Sequence, residues 1–451
     1  SGDGQRLAWI EWDRPQQPWL ATRLCVAELD HTGHCQNVRV LAGQAADESL
    51  QQPCFDDHGR LLVLSDRQGF WQPWREDQAG QLQALACAAA DHAAAPWQLG
   101  ARNYLALAAG HLLLSWWEAG FAVLAESGAG AGQPLAQAYS RFRQLAADAE
   151  YFYLIAGAVD GLSAVLAIDR RSQRCQVLAG GEWLLPVAQV SRPQALRFAT
   201  SGGETCHGFF YPPHNPACRG PVASKPPLLV FVHGGPTSAC YPTFDPRIQF
   251  WTQRGFAVAD LNYRGSSNFG RAYRLRLQGA WGEVEVADAE ALVRHLGEQG
   301  WIDPARAFIR GASAGGFTTL CALAFGRMFA GGASLYGVSD PLSLRRSTHK
   351  FEGDYLDWLL GDPQQHAERY QARTPLLHSE RIVAPLIFFQ GGLDAVVLPT
   401  QTERMVAALR SRGVAVEYHC YADERHGFRQ AAHLAHALEA ELGFYRQLLS
   451  S

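Results

Sequence analysis

The residue of this sequence with the clearest chemical potential is Ser313, which stands in Gly311-Ala312-Ser313-Ala314-Gly315 directly after the apolar run 307–310. The spacing Gly-x-Ser-x-Gly is typical of a sharp strand-to-helix turn that presents a serine nucleophile, because a β-carbon on either flanking residue would collide with its surroundings. In a chain with 44 glycines the spacing alone is weak evidence. The segment therefore predicts a nucleophile only if a base and an acid accompany it.

Two further side chains complete that chemistry in the chain order that such a turn requires. Asp394 follows the apolar stretch 386–390, and His426 follows the stretch 416–421. A histidine takes the serine proton during attack and returns it to the leaving group, while an ionised aspartate fixes the imidazole tautomer. Each residue alone is more often a helix cap or a turn residue, so the prediction depends on their joint placement. We predict Ser313, Asp394 and His426 as a catalytic triad.

Acyl transfer also needs donors for the developing oxyanion, and the loop His233-Gly234-Gly235-Pro236 follows the apolar stretch 228–232 directly. We predict that the backbone N–H groups of Gly235 and Ala314 form this oxyanion hole. The alternative is that Gly-Gly-Pro only turns the chain. His233 itself is interpreted as structural rather than catalytic.

The elements that must position these residues alternate between apolar strands and amphipathic helices. Strands without polar alternation have both faces covered, which predicts a doubly wound, mostly parallel sheet of the α/β hydrolase type over residues 204–451. The predicted strands are 228–232, 256–261, 307–310, 332–336, 386–390 and 414–421, and the predicted helices are 286–296, 317–325, 401–410 and 431–449.

Residues 1–203 have a different character, with short apolar or aromatic runs separated by turn residues. A loose repeat begins at Gly2-Asp3-Gly4 and again at Asp57-His58-Gly59, which indicates about four β-propeller blades of roughly 40 to 50 residues each. A β-sandwich is the alternative. The predicted strands are 7–10, 23–29, 61–64, 106–116, 121–124, 151–155 and 163–168, and the many tryptophans here are interpreted as packing residues.

Composition excludes several classes of function. A formal net charge of −4 with 18% charged residues offers no basic field for nucleic acid, and no stretch is apolar enough to span a membrane. The ten cysteines are scattered without Cys-x-x-Cys pairs, which favours free thiols and a cytoplasmic location. Residue 1 is Ser rather than Met, so a processed product, a fragment or a lost signal peptide stays open. No metal or cofactor is expected, since His31-Thr32-Gly33-His34-Cys35 has no distant partner pair.

With these motifs in place, the chain resembles the prolyl oligopeptidase family of serine peptidases, and most closely its acylaminoacyl-peptidase-like branch. The resemblance covers essentially the whole chain. It is carried by His233 to Pro236, Asn262 to Ser266, Trp281-Gly282, Gly311 to Phe317, Thr348 to Glu352, Gly391 to Asp394, His426 to Phe428, and in the front half by Val63 to Trp71.

The resemblance implies an enzyme that cleaves short peptides without a cofactor, with a propeller that keeps folded proteins out. Some members use a tyrosine side chain in the oxyanion hole, but the matching loop here is His-Gly-Gly-Pro, so only backbone donors are carried over. Arg264 is either a structural cation or one near the substrate. Core packing and substrate binding are both open for the residues that follow the strand after the elbow, which are Tyr336, Val338, His349 and Phe351.

The main departure from the family concerns the front half. Family members carry seven blades, so we expect that earlier blades belong to a longer polypeptide or to a separate chain, and the oligomeric state, including a homo-oligomer, is open. Two other functions are kept as alternatives. One is an esterase or amidase that uses the same triad, and the other is a propeller-based binding module with an inert hydrolase domain, which would require a broken triad or oxyanion loop.

Overall fold

The computed structural model describes residues 1–127, 132–221 and 224–450. By contacts the chain divides into two compact units. The first comprises residues 1–187, 241–245 and 267–275, and the second comprises residues 188–240, 246–266 and 276–451. The sequence places the division at residues 203 and 204, whereas the contacts place it at residue 187. The difference arises because strand Gln194–Ala199 pairs with Thr205–Tyr211 in the sheet of the second unit.

The described strands of the first unit form four antiparallel sheets, and these sheets are the propeller blades. The blades are, in order, β1 to β3 (Arg6–Glu11, Arg23–Leu29, Cys35–Ala42), β4 to β7 (Leu50–Phe55, Leu61–Ser65, Gln72–Glu76, Leu82–Ala84), β8 to β10 (Tyr104–Ala106, Leu112–Glu118, Phe121–Ser127) and β11 to β14 (Tyr139–Ala147, Tyr151–Ala158, Ala164–Asp169, Cys175–Gly180).

One predicted strand of this unit is wrong in its extent. The stretch 106–116 is not continuous, because the chain turns between β8 and β9 through Ala108–Gly110, where Ala109 has a φ of 58°. The apolar letters on both sides of the turn hide it from the sequence pattern. Leu113, Leu124, Phe142 and Phe152 from this and the neighbouring blade lie in one buried cluster.

The second unit is built on an eight-stranded sheet in the order β15-β16-β18-β17-β19-β20-β21-β22. The six strands β17 to β22 are parallel, and β15 and β16 add an antiparallel margin, so the predicted mostly parallel sheet is confirmed. The strands are β15 Gln194–Ala199, β16 Thr205–Tyr211, β17 Leu228–Val232, β18 Ala257–Asn262, β19 Ala307–Ala312, β20 Gly331–Leu335, β21 Leu386–Gly391 and β22 Val416–Tyr421.

The helices cover the apolar faces of this sheet, as the continuous apolar strands require. In chain order they are α1 Pro246–Thr252, α2 Arg271–Arg274, α3 Val284–Glu298, α4 Ala314–Phe325, α5 Pro341–Ser347, α6 Tyr355–Leu360, α7 Ala367–Ala372, α8 Pro399–Arg410 and α9 Ala431–Ser450. Of these, α2 belongs by its contacts to the first unit. Among the described residues, no helix has the length and apolar character that a membrane span needs.

The first unit also holds a buried charge cluster that joins distant parts of the chain. The guanidinium of Arg274 donates to the carboxylate of Asp66, and both side chains are fully buried. Arg271 donates to the same carboxylate at 2.8 Å, and the Arg274 guanidinium lies 3.7 Å from the ring centre of Trp71. Residues 267–275 are therefore fixed within the first unit by ionic and stacking contacts.

Candidate active site

Ser313 occupies the strained turn between β19 and α4. Its φ of 56° and ψ of −119° lie in a region that residues with a side chain rarely adopt. Three backbone hydrogen bonds hold it there: its N–H donates to the carbonyl of Leu335 at 3.0 Å, and its carbonyl accepts from Phe317 and Val338 at 3.1 and 3.4 Å. The strain is thus stabilised by the adjacent strand and by the first turn of α4.

The glycines of the turn are required by space. A β-carbon on Gly311 would lie 2.2 Å from the carbonyl of Gly315, and one on Gly315 would lie 2.1 Å from the carbonyl oxygen of Val232 at the end of β17. Both distances are far below van der Waals contact. The motif Gly-x-Ser-x-Gly therefore lets α4 begin directly against the ends of two strands.

Ser313, His426 and Asp394 are brought together, although 113 residues separate the serine from the histidine. The serine Oγ lies 2.9 Å from His426 Nε2, and His426 Nδ1 lies 2.8 Å from Asp394 Oδ2. Since a carboxylate only accepts hydrogen bonds, His426 Nδ1 carries the proton and Nε2 is free to accept from the serine. The arrangement is that of a base poised beside a nucleophile.

The Asp394 carboxylate is fully buried and is held from both sides. Its Oδ1 accepts from the N–H groups of Val396 and Val397 at 2.8 and 2.9 Å, and its Oδ2 also accepts from Gln390 Nε2 at 3.2 Å. These donors substitute for water around the charge, as a buried carboxylate requires.

The loops that carry the acid and the base lie backbone against backbone. The N–H of Leu393 donates to the carbonyl of Glu424 at 2.9 Å, and a β-carbon on Gly391 would lie 2.3 Å from the carbonyl oxygen of Arg425. The buried Glu424 carboxylate then accepts from the N–H groups of Arg429 and Gln430 at 3.0 and 2.9 Å. The position of His426 thus depends on the close approach of two loops.

The predicted oxyanion loop lies beside the nucleophile. A β-carbon on Gly234 would be 3.5 Å from Ser313 Cβ and 3.1 Å from the carbonyl oxygen of Ala312. Gly235 has a φ of 122°, and Ala314 is the first residue of α4, where N–H groups have no partner inside the helix. Among the described residues, the N–H groups of Gly235 and Ala314 have no protein acceptor.

Two of the predicted substrate-binding candidates border the triad. The ring of Tyr336 lies edge-on to His426 with 4.9 Å between ring centres, and burial raises the pKa of its phenol. Val338 is 2% exposed, and its N–H reaches the carbonyl of Ser313. Tyr336 therefore shapes the surroundings of the base, and Val338 supports the elbow from within the core.

The segment with His349 and Phe351 contributes a residue that the sequence did not single out for the site. His349 is exposed, and its Nε2 lies 3.7 Å from Glu352 Oε2, while Phe351 is half-buried. Burial raises the pKa of Glu352, and the charges of His349 and His426 oppose this increase. Glu352 is therefore close enough to His426 to interact with its imidazole when the ring is protonated. The sequence marks Glu352 only as the last residue of the family motif Thr348 to Glu352.

Arg264 has internal partners instead. Its side chain is 2% exposed and donates to Asp288 Oδ1 at 2.9 Å, to Glu204 Oε1 at 2.9 Å and to Ser201 Oγ at 2.7 Å. Of the two roles open for this residue, these contacts favour the structural cation.

The fold and the site together define a serine hydrolase with an α/β hydrolase domain and a β-propeller. Residues 242–451 match the prolyl oligopeptidase family. The chain is similar to a crystal structure of puromycin hydrolase, with 34% sequence identity and a TM-score of 0.95. The match covers 100% of this chain and 69% of the puromycin hydrolase chain. A puromycin-hydrolyzing peptidase of Mycobacterium tuberculosis is 37% identical with a TM-score of 0.94, over 100% of this chain and 68% of its own. The chain belongs to the prolyl oligopeptidase family of serine peptidases.

Curated relatives match over less than half of this chain. Dipeptidyl peptidase family member 6 of Caenorhabditis elegans is 31% identical over 45% of this chain and 28% of its own length. Acylamino-acid-releasing enzyme of Arabidopsis thaliana is 28% identical over 44% of this chain and 27% of its own length. The matches thus span less than a third of these two relatives, and their names cover both dipeptidyl and acylaminoacyl peptidases.

Proposed function

We propose that this protein cleaves short peptides through an acyl-enzyme on Ser313. The observation that carries the proposal is the unbroken hydrogen-bond line from Ser313 Oγ through His426 to the buried carboxylate of Asp394. The relatives include both a dipeptidyl peptidase and an acylamino-acid-releasing enzyme, so the proposal names peptides as a class and no single sequence.

The reaction follows from the geometry. Ser313 Oγ attacks the scissile carbonyl carbon while its proton moves to His426 Nε2, and Asp394 stabilises the imidazolium that forms. The carbonyl oxygen gains negative charge and accepts from the N–H groups of Gly235 and Ala314. The carbon–nitrogen bond then breaks as His426 gives its proton to the leaving amine. Water, deprotonated by the same histidine, hydrolyses the ester and restores the serine.

A fluorophosphonate probe tests the nucleophile directly, since it forms a covalent bond only with an activated serine. We expect labelling of the wild type and none of Ser313→Ala, with Ser339→Ala as a control that removes another buried serine of the same unit. Absence of labelling in the folded wild type would refute the proposal and favour an inert hydrolase domain in a binding module.

A substrate panel separates a peptidase from an esterase or amidase that acts on small acyl compounds. It contains acylaminoacyl, aminoacyl and dipeptidyl amides, p-nitrophenyl esters, and puromycin, the last because two similar structures are described as puromycin-hydrolysing. We expect the amides of amino acids to be preferred by kcat/KM. Turnover of the simple esters alone would support the esterase.

The location and the remaining partners stay predictions. Among the described residues, none of the ten cysteines is paired in a disulfide, and Cys35, Cys175, Cys218 and Cys420 are exposed, which supports a cytoplasmic location. Additional blades, on the same polypeptide or on a separate chain, and a homo-oligomer are tested together by intact mass and light scattering of the protein purified from its source.

A further inference from the structure

The second unit contains a large cavity at the edge of its sheet that lies away from the triad. Its volume is about 800 Å³, and residues that come just before β17, β18 and β19 line it, namely 225–227, 254–255 and 306. These three strands are parallel neighbours, so their amino ends share one edge of the sheet, whereas Ser313 follows the carboxyl end of β19. The six residues of β19, at about 3.3 Å each, place roughly 20 Å between the two edges. The cavity is therefore distinct from the site of peptide cleavage.

The side chains of this cavity carry charge of one sign. Five cations line it, which are Arg219, Lys225, Arg254, Arg306 and Arg446, and none of its described lining residues is a carboxylate. The chain as a whole has 43 acidic and 39 basic residues, so the cavity departs from the composition of the molecule. A concave surface lined by one sign of charge concentrates ions of the opposite sign. The cavity is thus suited to an anion.

Few of these charges are neutralised within the protein. Arg306 pairs with Asp303, since its Nε lies 2.7 Å from Asp303 Oδ2. Within the ranges that the structure describes, the exposed side chains of Arg219, Lys225 and Arg446 have neither a hydrogen bond nor an ion pair. Their positive charge is therefore available to a ligand from solution.

Arg254 and Arg446 are the pair best placed to bind an anion together. The guanidinium carbon of Arg254 lies 3.8 Å from the ring centre of Phe250, and its Nη1 donates to the Phe250 carbonyl at 2.9 Å, which holds the group in place. Burial and the charge of Arg446 lower the pKa of Arg254, and the charge of Glu439 opposes this decrease. The two guanidinium groups repel each other, and an anion bound between them would offset this repulsion. A guanidinium presents its donors in a planar fork that matches two oxygens of a phosphate group.

An aromatic wall accompanies the cations. Trp301 lines the cavity and is 39% exposed, and its ring packs against Phe210 with 5.1 Å between ring centres and 35° between planes. The contact with Phe210 holds the indole in place, while its exposed part offers a flat π surface on which a nucleobase can stack. The volume of the cavity also falls within the about 300 to 1,000 Å³ of pockets that bind small molecules. Charge, aromatic wall and size together fit a ligand with phosphates and a planar ring.

We propose that this cavity binds a nucleoside di- or triphosphate, with the phosphates on Arg254 and Arg446 and the base stacked on Trp301. A chain of two or three phosphates carries enough negative charge to engage several of the unpaired cations, and the base accounts for the aromatic wall. Inorganic polyphosphate has similar charge but no ring, so it would use the cations alone. The inference is independent of the proposed peptidase function, because no residue of the triad takes part.

Isothermal titration calorimetry of the full chain with ATP, adenosine and inorganic tripolyphosphate tests the assignment, in EDTA and at about 0.1 M salt, which screens distant charges. We expect saturable binding of ATP with a Kd below about 1 mM, and weaker binding of the other two compounds. The double variant Arg254→Gln with Arg446→Gln should raise the Kd of ATP about 10- to 100-fold, since it removes hydrogen bonds to charged phosphates. Trp301→Leu keeps an apolar cover for Phe210 but removes the stacking surface. It should raise the Kd of ATP about 5- to 20-fold and leave that of tripolyphosphate unchanged.

Two control variants make the result specific. Arg412→Gln removes an exposed arginine of the same unit that does not line the cavity, and Ser313→Ala removes the nucleophile, so both should bind ATP as the wild type does. Circular dichroism checks the folding of each variant. Absence of saturable binding up to about 5 mM ATP, or the same Kd in the wild type and the folded double variant, would overturn the inference. Equal affinity of the wild type for ATP and tripolyphosphate would overturn the assignment of a nucleoside, even if Trp301→Leu does not fold.

Discussion

Replacing Asp394 by Asn is the sharpest test of the triad. Asparagine has the shape of aspartate, but one of the two oxygens that accept hydrogen bonds is replaced by an NH2 group that only donates. The introduced amide has two possible orientations. With its oxygen toward Val396 and Val397, its NH2 group faces His426 Nδ1, which must then lose its proton. The imidazole becomes protonated on Nε2 and can no longer accept the proton of Ser313.

The magnitude follows from the second orientation, which would keep the active tautomer. There the NH2 group faces the two backbone N–H donors that now lie 2.8 and 2.9 Å from Asp394 Oδ1. Each donor left unsatisfied in this fully buried place costs about 1 to 3 kcal/mol, so the active orientation lies about 2 to 6 kcal/mol above the inactive one. At about 1.36 kcal/mol for each factor of ten, kcat should fall by about 30-fold to about 25,000-fold.

The assay is steady-state turnover of the best amide of the panel, with circular dichroism and a thermal midpoint to confirm folding. Asp423→Asn is the matched control, since it makes the same chemical change at an exposed carboxylate on the loop that carries His426. We expect the control to retain its kcat. A folded Asp394→Asn with kcat within about tenfold of the wild type would refute the assignment of Asp394 as the acid of the triad.

Two further changes test the surroundings of the site. Glu424→Gln removes a carboxylate that accepts from the N–H groups of Arg429 and Gln430, so the loop of His426 should loosen, and kcat should fall about 5- to 50-fold while Asp423→Asn stays at the wild-type rate; equal rates in both variants would exclude a positioning role. Glu285→Gln tests a buried carboxyl whose pKa burial raises from 4.5 to about 7. Between pH 4.5 and about pH 7 the folded state keeps a proton on Glu285 that the unfolded state has lost, so the free energy of unfolding falls as pH rises through this range. The thermal midpoint of Glu285→Gln should therefore decrease less than that of the wild type from about pH 5 to about pH 8, and identical decreases would contradict the raised pKa.

Much of the site could be predicted because its chemistry imposes local patterns. The elbow around Ser313 needs glycines at fixed positions, and an acid and a base after later strands leave separate marks in the sequence. The mostly parallel sheet could be predicted in the same way, because its strands are continuously apolar. These predictions depend on contacts within a few residues, or on the order of elements along the chain.

What escaped prediction depends on pairings between distant residues. The rings of His233 and Tyr263, which follow β17 and β18, stack with 4.3 Å between their centres. They meet only because β17 and β18 are neighbours in the sheet, and no spacing in the sequence encodes that adjacency. The pairing of β15 with β16, which moves residues 194–199 into the second unit, is equally non-local. Arg264 shows the same dependence on distant residues. Its motif does not distinguish a substrate-binding cation from a structural one, whereas its hydrogen bonds to Asp288 and Glu204 favour the structural role.

The burial of Arg274 against Asp66 also constrains the order in which this protein can mature during synthesis. Domains generally fold from the amino terminus as they leave the ribosome. Here the carboxylate of Asp66 emerges 208 residues before the cation that neutralises it, so the first unit cannot be completed until residue 275 has left the exit tunnel. By then β17 and β18 have also emerged. The two units must therefore mature as interleaved parts of one chain, and a fragment that ends at residue 187 would leave a buried negative charge without its partner.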